Sequence, residues 1–430
     1  MVCIESLDQD GRGVTRIDGK VTFVEGGLPG EVVVAETVRR KRSFDLAKVV
    51  QILQPSSQRV APRCPHYERC GGCKLQHLEP RAQVAIKQRV LEEDLKRIGA
   101  VRPEHILAPI HGPVWAYRHR ARFAVKHVAR KNGVLVGFHE RRTHFVADMD
   151  SCEVLPARVS ALIRPLRALV TSMELAARIP QIEIAVGESA VALSFRVLDT
   201  PGDADLTRLQ AFGRAQDVDI YLQGGGPDTL RPLDPHAVRA LYYALPEFDL
   251  SLHFAPFDFT QVNPAVNRVL VHRAVEMMAL AGGERVADLF CGVGNFALAL
   301  ARRGAQVTGV EGSGALIERA RDNASRNGLT ERTQFIQGDL FERAGALLAR
   351  LGPLDGLLID PPRDGAYAVV QAIESARPRR LVYVSCNPAT LARDAGVLVH
   401  QKGYRMRSVG VVNMFPHTAH VESIALFELA

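Results

Sequence analysis

The sequence predicts an α/β protein. A doubly wound, largely parallel sheet forms its C-terminal part, behind a small N-terminal β-barrel and a central α+β domain. Three observations predict this. From about residue 256 onward, strand-like and helix-like segments alternate, as they do where a parallel sheet is covered on both faces. Residues 1–54 instead hold short strand-like runs separated by Asp18-Gly19, Gly26-Gly27 and Pro29-Gly30, dipeptides that suit tight turns. Finally, 430 residues exceed what one ordinary core organises.

The elements follow in order. Strands are predicted at 13–17, 20–24, 31–37 and 46–52, with Arg39-Arg40-Lys41-Arg42 in a loop suited to nucleic acid. Pro55-Ser56-Ser57 reads as a linker. The central domain, residues 55–255, begins with a helix over 81–98 and continues with strands at 121–128, 134–139, 181–186 and 191–197. The last domain, 256–430, has strands at 285–290, 306–310, 333–336, 356–360 and 380–385. Helices at 295–303, 314–327, 341–351, 367–376 and 388–400 alternate with them, and 408–414 and 421–429 read as an antiparallel edge pair.

Composition narrows the class. With 47% hydrophobic and 23% charged residues, the chain reads as soluble and globular. No apolar run approaches about 18 residues, and Met1-Val2-Cys3-Ile4-Glu5 does not open a signal peptide. A cytoplasmic protein without membrane contact is expected, and nothing points to a protein partner. Seven cysteines in a reducing compartment argue for metal or catalytic roles. The net charge of +7 is concentrated: residues 59–131 hold 16 Lys/Arg against 6 Asp/Glu, an excess of 10. Within them Arg118-His119-Arg120-Ala121-Arg122-Phe123 alternates as a strand would, predicting a basic strip for phosphates.

Asp288-Leu289-Phe290-Cys291-Gly292-Val293-Gly294-Asn295-Phe296 follows a strand and opens a helix. Its two glycines permit a tight turn and a close ligand. Glu311 ends the next strand, where it can accept hydrogen bonds from both ribose hydroxyls. Asp339, after the following strand, can receive an adenine amino group. The loop lacks the third glycine of a pyrophosphate site, which suits S-adenosylmethionine better than a dinucleotide. Cys64, Cys70 and Cys73 form a C-x5-C-x2-C set, with Cys152 as a candidate fourth ligand. That density of thiols suits zinc or an iron–sulfur cluster, and the uneven spacing leans toward the cluster.

Cys386 ends the strand-like 380–385 run, directly before Asn387-Pro388, and Asp360-Pro361-Pro362-Arg363 ends the strand before it. Both therefore project at the sheet edge that carries the cofactor loop. A thiolate added to C6 of uracil makes C5 nucleophilic toward a methyl group. The C5 proton must then leave to a base, for which Glu422 is the candidate. The helix N-terminus after Cys386 is expected to lower its pKa.

These motifs resemble those of the RNA uracil-5-methyltransferases, above all the branch acting on bacterial 23S ribosomal RNA. The resemblance spans nearly the whole chain. It is carried by Pro62-Arg63-Cys64-Pro65-His66, Cys70-Gly71-Gly72-Cys73, Phe259-Thr260-Gln261-Val262-Asn263, the 288–292 loop, Asp360-Pro361-Pro362-Arg363, Ser385-Cys386-Asn387-Pro388-Ala389-Thr390 and His420-Val421-Glu422-Ser423. It implies a class I S-adenosylmethionine-dependent methyltransferase domain, an RNA-binding TRAM barrel (OB-like) and a [4Fe-4S] cluster on Cys64, Cys70, Cys73 and Cys152. It implies cofactor contacts from Gln261, Phe290, Asn295, Glu311, Asp339 and Asp360, with Cys386 as nucleophile and Glu422 as proton acceptor. Phe259 is expected to stack on the target base. Relatives acting on transfer RNA are expected to lack the barrel, so its presence favours 23S RNA. The competing readings are a transfer-RNA methyltransferase, a non-catalytic RNA-binding iron–sulfur protein, and an RNA cytosine-5-methyltransferase, whose Pro-Cys motif this chain does not carry.

Overall fold

Turn residues shape the N-terminal unit of the computed structural model, which describes residues 1–128 and 133–430. Asp18 and Gly19 both adopt positive φ, 50° and 79°, the backbone that a two-residue hairpin turn requires. Ile17 accordingly pairs with Lys20 at the closed end of the strands Gly13–Ile17 and Lys20–Glu25. A six-stranded sheet results, in the order Val2–Cys3, Val32–Arg40, Phe44–Gln54, Lys20–Glu25, Gly13–Ile17, Ser6–Leu7. Its small core is Ile4, Val24, Val33 and Ala47. The basic run differs from expectation. Arg39 and Arg40 lie within the strand Val32–Arg40, paired with Leu46 and Asp45, and only Lys41 and Arg42 remain in the turn.

The central sheet runs Leu230–Pro232, Asp219–Gln223, Val191–Arg196, Gln181–Val186, Arg120–Val128, Gly133–Gly137. The helices Ile163–Ser172 and Asp203–Gln216 bury Ile163, Leu166, Leu209 and Phe212 against it. The basic strip is mostly engaged here. Arg122 pairs with Glu183 at 2.8 Å, Arg120 is covered against Phe254, and Arg118 lies over Phe138. A phosphate strip needs free cations, and here Arg120 is covered while the more exposed Arg122 already has a carboxylate partner. Arg130 and Lys131, at the end of the basic stretch, lie outside the described residues.

The C-terminal sheet has eight strands in the order Thr333–Gln337, Gln306–Glu311, Arg285–Leu289, Gly356–Ile359, Arg380–Ser385, Glu422–Leu429, Tyr404–Val412, His105–Ile106. The first five are parallel. The inner strands Arg285–Leu289, Gly356–Ile359 and Arg380–Ser385 carry apolar runs buried on both faces, as a sheet sandwiched by helices requires. Glu422–Leu429 enters antiparallel between Arg380–Ser385 and Tyr404–Val412, so the predicted antiparallel pair forms at this end of the sheet. His105–Ile106 covers the outer edge, and the helix Pro80–Asp94 sends Leu91 into the same core. Among the described residues no helix is long and apolar enough to cross a membrane.

Candidate active site

The five parallel strands end at Leu289, Glu311, Gln337, Ile359 and Ser385, and one cavity of about 710 Å³ opens beyond those ends. Ligands in open α/β sheets bind at such carboxyl ends. All nine residues predicted for cofactor, base and chemistry line it: Phe259, Gln261, Phe290, Asn295, Glu311, Asp339, Asp360, Cys386 and Glu422.

The cofactor half is fixed by backbone. Phe290 carries φ 64°, a strained backbone for an aromatic residue, of order 1–3 kcal/mol. Its N–H donates to Val310 O at 2.9 Å. Glu311 Oε2 accepts from Gly292 N at 3.2 Å and Oε1 from Ser313 N at 3.0 Å. The glycine loop and the acidic strand end therefore lock one another, and each oxygen keeps acceptor capacity for a hydroxyl. Asp339 accepts from the Phe341 and Glu342 N–H groups through Oδ1, which holds its carboxyl below the usual range. The same bonds delay the next helix to Ala344–Leu351, later than the predicted start at 341.

At the other end, sheet register brings the nucleophile and base together. Ser385 pairs with Ser423, so one further step sets Cys386 opposite Glu422. Two loops are stitched beneath them: Asn387 Nδ2 donates to Arg363 O at 3.1 Å and Arg393 Nη2 to Asp364 O at 2.9 Å. Asn387 also caps the following helix, Pro388–Gln401, through Ala389 N. Glu422 is 6% exposed, with Oε1 3.5 Å from His420 Nε2.

The electrostatics oppose the sequence expectation for Cys386. Burial, then the charges of Glu422 and Asp360, push its thiol up to about 11, with Arg363 opposing. The helix N-terminus is present, but burial, reinforced by the two carboxyl groups across the cavity, sets the direction of the shift. Burial and then Glu422 also push Asp360 up to about 8. Asp288, fully buried beneath them, is raised well above the usual range by burial and Asp360. A nest of carboxyl groups thus underlies the pocket.

Two further cavities continue from this one. The next, about 430 Å³, shares Arg363, Cys386 and His420 with it. A third, about 540 Å³, shares Asp10, Gly71, Gly72 and Lys74 with the second and reaches Arg12 and Glu25 of the barrel. Cys386 stands where the cofactor cavity meets an open groove running to the N-terminal barrel.

Comparison with known proteins agrees with this architecture. The family described as tRNA (Uracil-5-)-methyltransferase matches residues 80–429, and the TRAM domain matches residues 1–50. The chain belongs to the uracil-5-methyltransferase family. Relatives within it include the 23S rRNA (uracil(1939)-C(5))-methyltransferase RlmD of Nitrosospira multiformis, 56% identical over 100% of this chain and 98% of the relative. The protein of the same name from Thiobacillus denitrificans is 56% identical over 100% of this chain and 99% of its own. Among solved structures, the Pyrococcus abyssi tRNA (uracil-54, C5)-methyltransferase, in complex with S-adenosyl-L-homocysteine, superposes with TM-score 0.74. It is 25% identical and covers 99% of this chain and 100% of its own. A uracil-5-methyltransferase named for transfer RNA therefore spans the whole architecture, barrel included. The barrel alone does not select 23S RNA.

The iron–sulfur centre expected for this family member is overturned. Among the described residues, no group of three or more Cys, His, Asp or Glu side chains is arranged to hold a metal ion. Cys64, Cys70, Cys73 and Cys152 do line one space, but it measures about 20 Å³, room for about one water. Burial raises all four thiols, Cys73 to about 11 and Cys152 to about 12, whereas metal ligation needs thiolates. Cys70 and Cys152 are buried and Cys64 and Cys73 half-buried, packed as small thiols.

Sequence reading missed Asn267 and Tyr243. Asn295 Oδ1 accepts from Tyr243 OH and Asn267 Nδ2, both at 2.9 Å, and its Nδ2 donates to Asn267 Oδ1 at 3.0 Å. One Asn295 N–H is left for a ligand. The available signal was a buried Asn among Val266, Leu270, Val271 and Ala274 on the helix Pro264–Met278, where an amide needs a reason.

Proposed function

We propose that this protein methylates C5 of a uridine in 23S ribosomal RNA, at the position equivalent to uracil 1939, with S-adenosylmethionine as donor. The observation that carries the chemistry is the register that faces Cys386 with Glu422 at the rim of a cofactor-sized cavity. The choice of RNA rests on the full-length relatives named for 23S rRNA at 56% identity. The residues fit the cofactor: Glu311 retains acceptor capacity for ribose, and Asp339 keeps one carboxylate oxygen beyond its two backbone donors. When bound, the cofactor supplies a methyl group on a positively charged sulfur.

The chain's own residues do the rest. Phe259, 66% exposed at the cavity mouth, offers a ring on which an unstacked base can rest. The Cys386 thiolate adds to C6 of that base, forming an S–C6 bond and pushing the electron pair toward O4 and C5. C5 then takes the methyl group. Glu422 accepts the C5 proton, the C5–C6 double bond re-forms, and the S–C6 bond breaks to release Cys386. The groove from Cys386 to the barrel accommodates the flanking RNA.

RNA containing 5-fluorouridine tests the mechanism. With cofactor it becomes covalently attached to the wild-type protein, because fluorine cannot leave as a proton does. Attachment that persists in Cys386→Ala removes the mechanism. Mapping 5-methyluridine in ribosomal and transfer RNA, from cells with and without the protein, tests the substrate. Loss confined to transfer RNA overturns the 23S assignment.

A further inference from the structure

We propose that Lys87 is a positioning residue for Glu422: its buried ammonium fixes the loop entering the Glu422 region and supplies the positive field under which Glu422 takes the C5 proton. The inference rests on the reading of Glu422 as proton acceptor and deepens it.

Lys87 lies on the buried face of the helix Pro80–Asp94, with Gln83 and Leu91 one turn to either side. At 1% exposure it is an uncommon lysine, since a buried charge is costly unless it is paired and hydrogen-bonded. Its Nζ donates to Asn413 Oδ1 and Phe415 O, both at 2.8 Å. Val412 pairs directly with Glu422, so Asn413 is the residue just beyond that pair. The rest of the loop is held as firmly. Gln83 bonds the His417 N–H at 2.8 Å and its ring Nδ1 at 3.1 Å. Tyr117 OH donates to Pro416 O at 3.0 Å, and Trp115 stacks on His417 with ring centres 3.9 Å apart.

The charge arrangement explains why a lysine serves here. Glu422 is faced by Asp360, Cys386 and His420 within the cavity and by Lys87 from behind. Lys87 is faced in turn by Glu422 and by His417. The Lys87 ammonium and the Glu422 carboxylate attract one another through the protein interior. Burial brings Lys87 down to about 7, with Glu422 opposing, so its charge is present on the acid side of neutrality, where a base most needs support.

The test measures turnover on unmodified RNA against pH for Lys87→Met, Lys87→Gln and Lys87→Arg, using the full chain. In the two neutral variants the acid limb is expected to lie above the wild-type one, turnover falling severalfold on the acid side of neutrality, where wild-type Lys87 is charged, while the alkaline rate is retained. Lys87→Arg keeps the wild-type limb. The limb's position does not depend on how much protein folds, so reduced yield does not obscure it. Covalent attachment to 5-fluorouridine RNA, which precedes proton removal, stays intact in all three. An equal loss at every pH, or a wild-type limb in Lys87→Gln, overturns the proposal. Failure of the underlying reading looks different: Glu422→Gln would then turn over normally whatever the Lys87 variants do.

Discussion

Glu422→Gln gives a direct measure of the field on Cys386. The thiol is pushed up to about 11 by burial, Glu422 and Asp360, against about 8.5 for a free peptide thiol. At pH 7.5 that difference leaves roughly three-hundredfold less thiolate. A thiolate of higher pKa is intrinsically more nucleophilic, with a Brønsted slope near 0.45, which returns roughly tenfold. Exchange with a small aromatic disulfide is therefore expected to run roughly twentyfold slower than for a free peptide thiol. Removing the Glu422 charge lowers the thiol by about one pH unit, for a net acceleration of roughly threefold. The assay is peptide-resolved mass spectrometry of timed exchange on the full chain, with the exposed Cys3 as an accessibility control. A wild-type Cys386 that exchanges as fast as the free peptide thiol refutes the reasoning, as does slower exchange in Glu422→Gln.

Further outcomes follow from the same geometry. Asp360 holds its proton to about 8 in the folded chain, above its unfolded value, so folded protein binds the extra proton and its stability falls as pH rises from about 4 toward 8. Asp360→Asn is expected to remove that slope, raising the thermal midpoint at pH 8 and leaving it unchanged near pH 4; parallel midpoint curves exclude this. Asn267→Ala strips two bonds from Asn295, and calorimetry with S-adenosylhomocysteine is expected to show about tenfold weaker binding, from the 1–3 kcal/mol of an unpaired buried amide. Phe259→Ala is expected to lower turnover on RNA with no change in thermal midpoint, because the ring is 66% exposed. A fallen midpoint would mark Phe259 as structural.

Much of the site was legible because it is built from strand ends. Glu311, Asp360 and Cys386 each close an apolar run, and a parallel sheet carries such residues to one edge whatever the fold's details. Glu422 was legible only as a motif, since its partnership with Cys386 depends on an antiparallel strand inserted from the C-terminus. Three features were not legible for one reason: they are set through space. The raised Cys386 thiol reflects burial and then the carboxyl groups of Glu422 and Asp360, where sequence shows only the adjacent helix. Lys87 and Asn413 meet across 326 positions. The cysteines at 64, 70, 73 and 152 do converge, but spacing cannot reveal that the space between them is too small for a cluster. In the barrel, Asp18-Gly19 fixed its turn locally, whereas Arg39 and Arg40 were drawn into a strand by Phe44–Gln54 beside it.

The clamp on residues 413–417 also has a consequence for how the molecule comes into being. Gln83, Lys87 and Tyr117 emerge from the ribosome well before the loop they hold, which is made 299 to 334 positions later. Contacts of such separation form slowly, because the chain must close a long loop before they reward it. The parallel core of the sheet can assemble beforehand, with a cofactor pocket but an unset base. Activity should therefore lag behind cofactor binding during refolding, and the delay would measure the docking of these two distant segments.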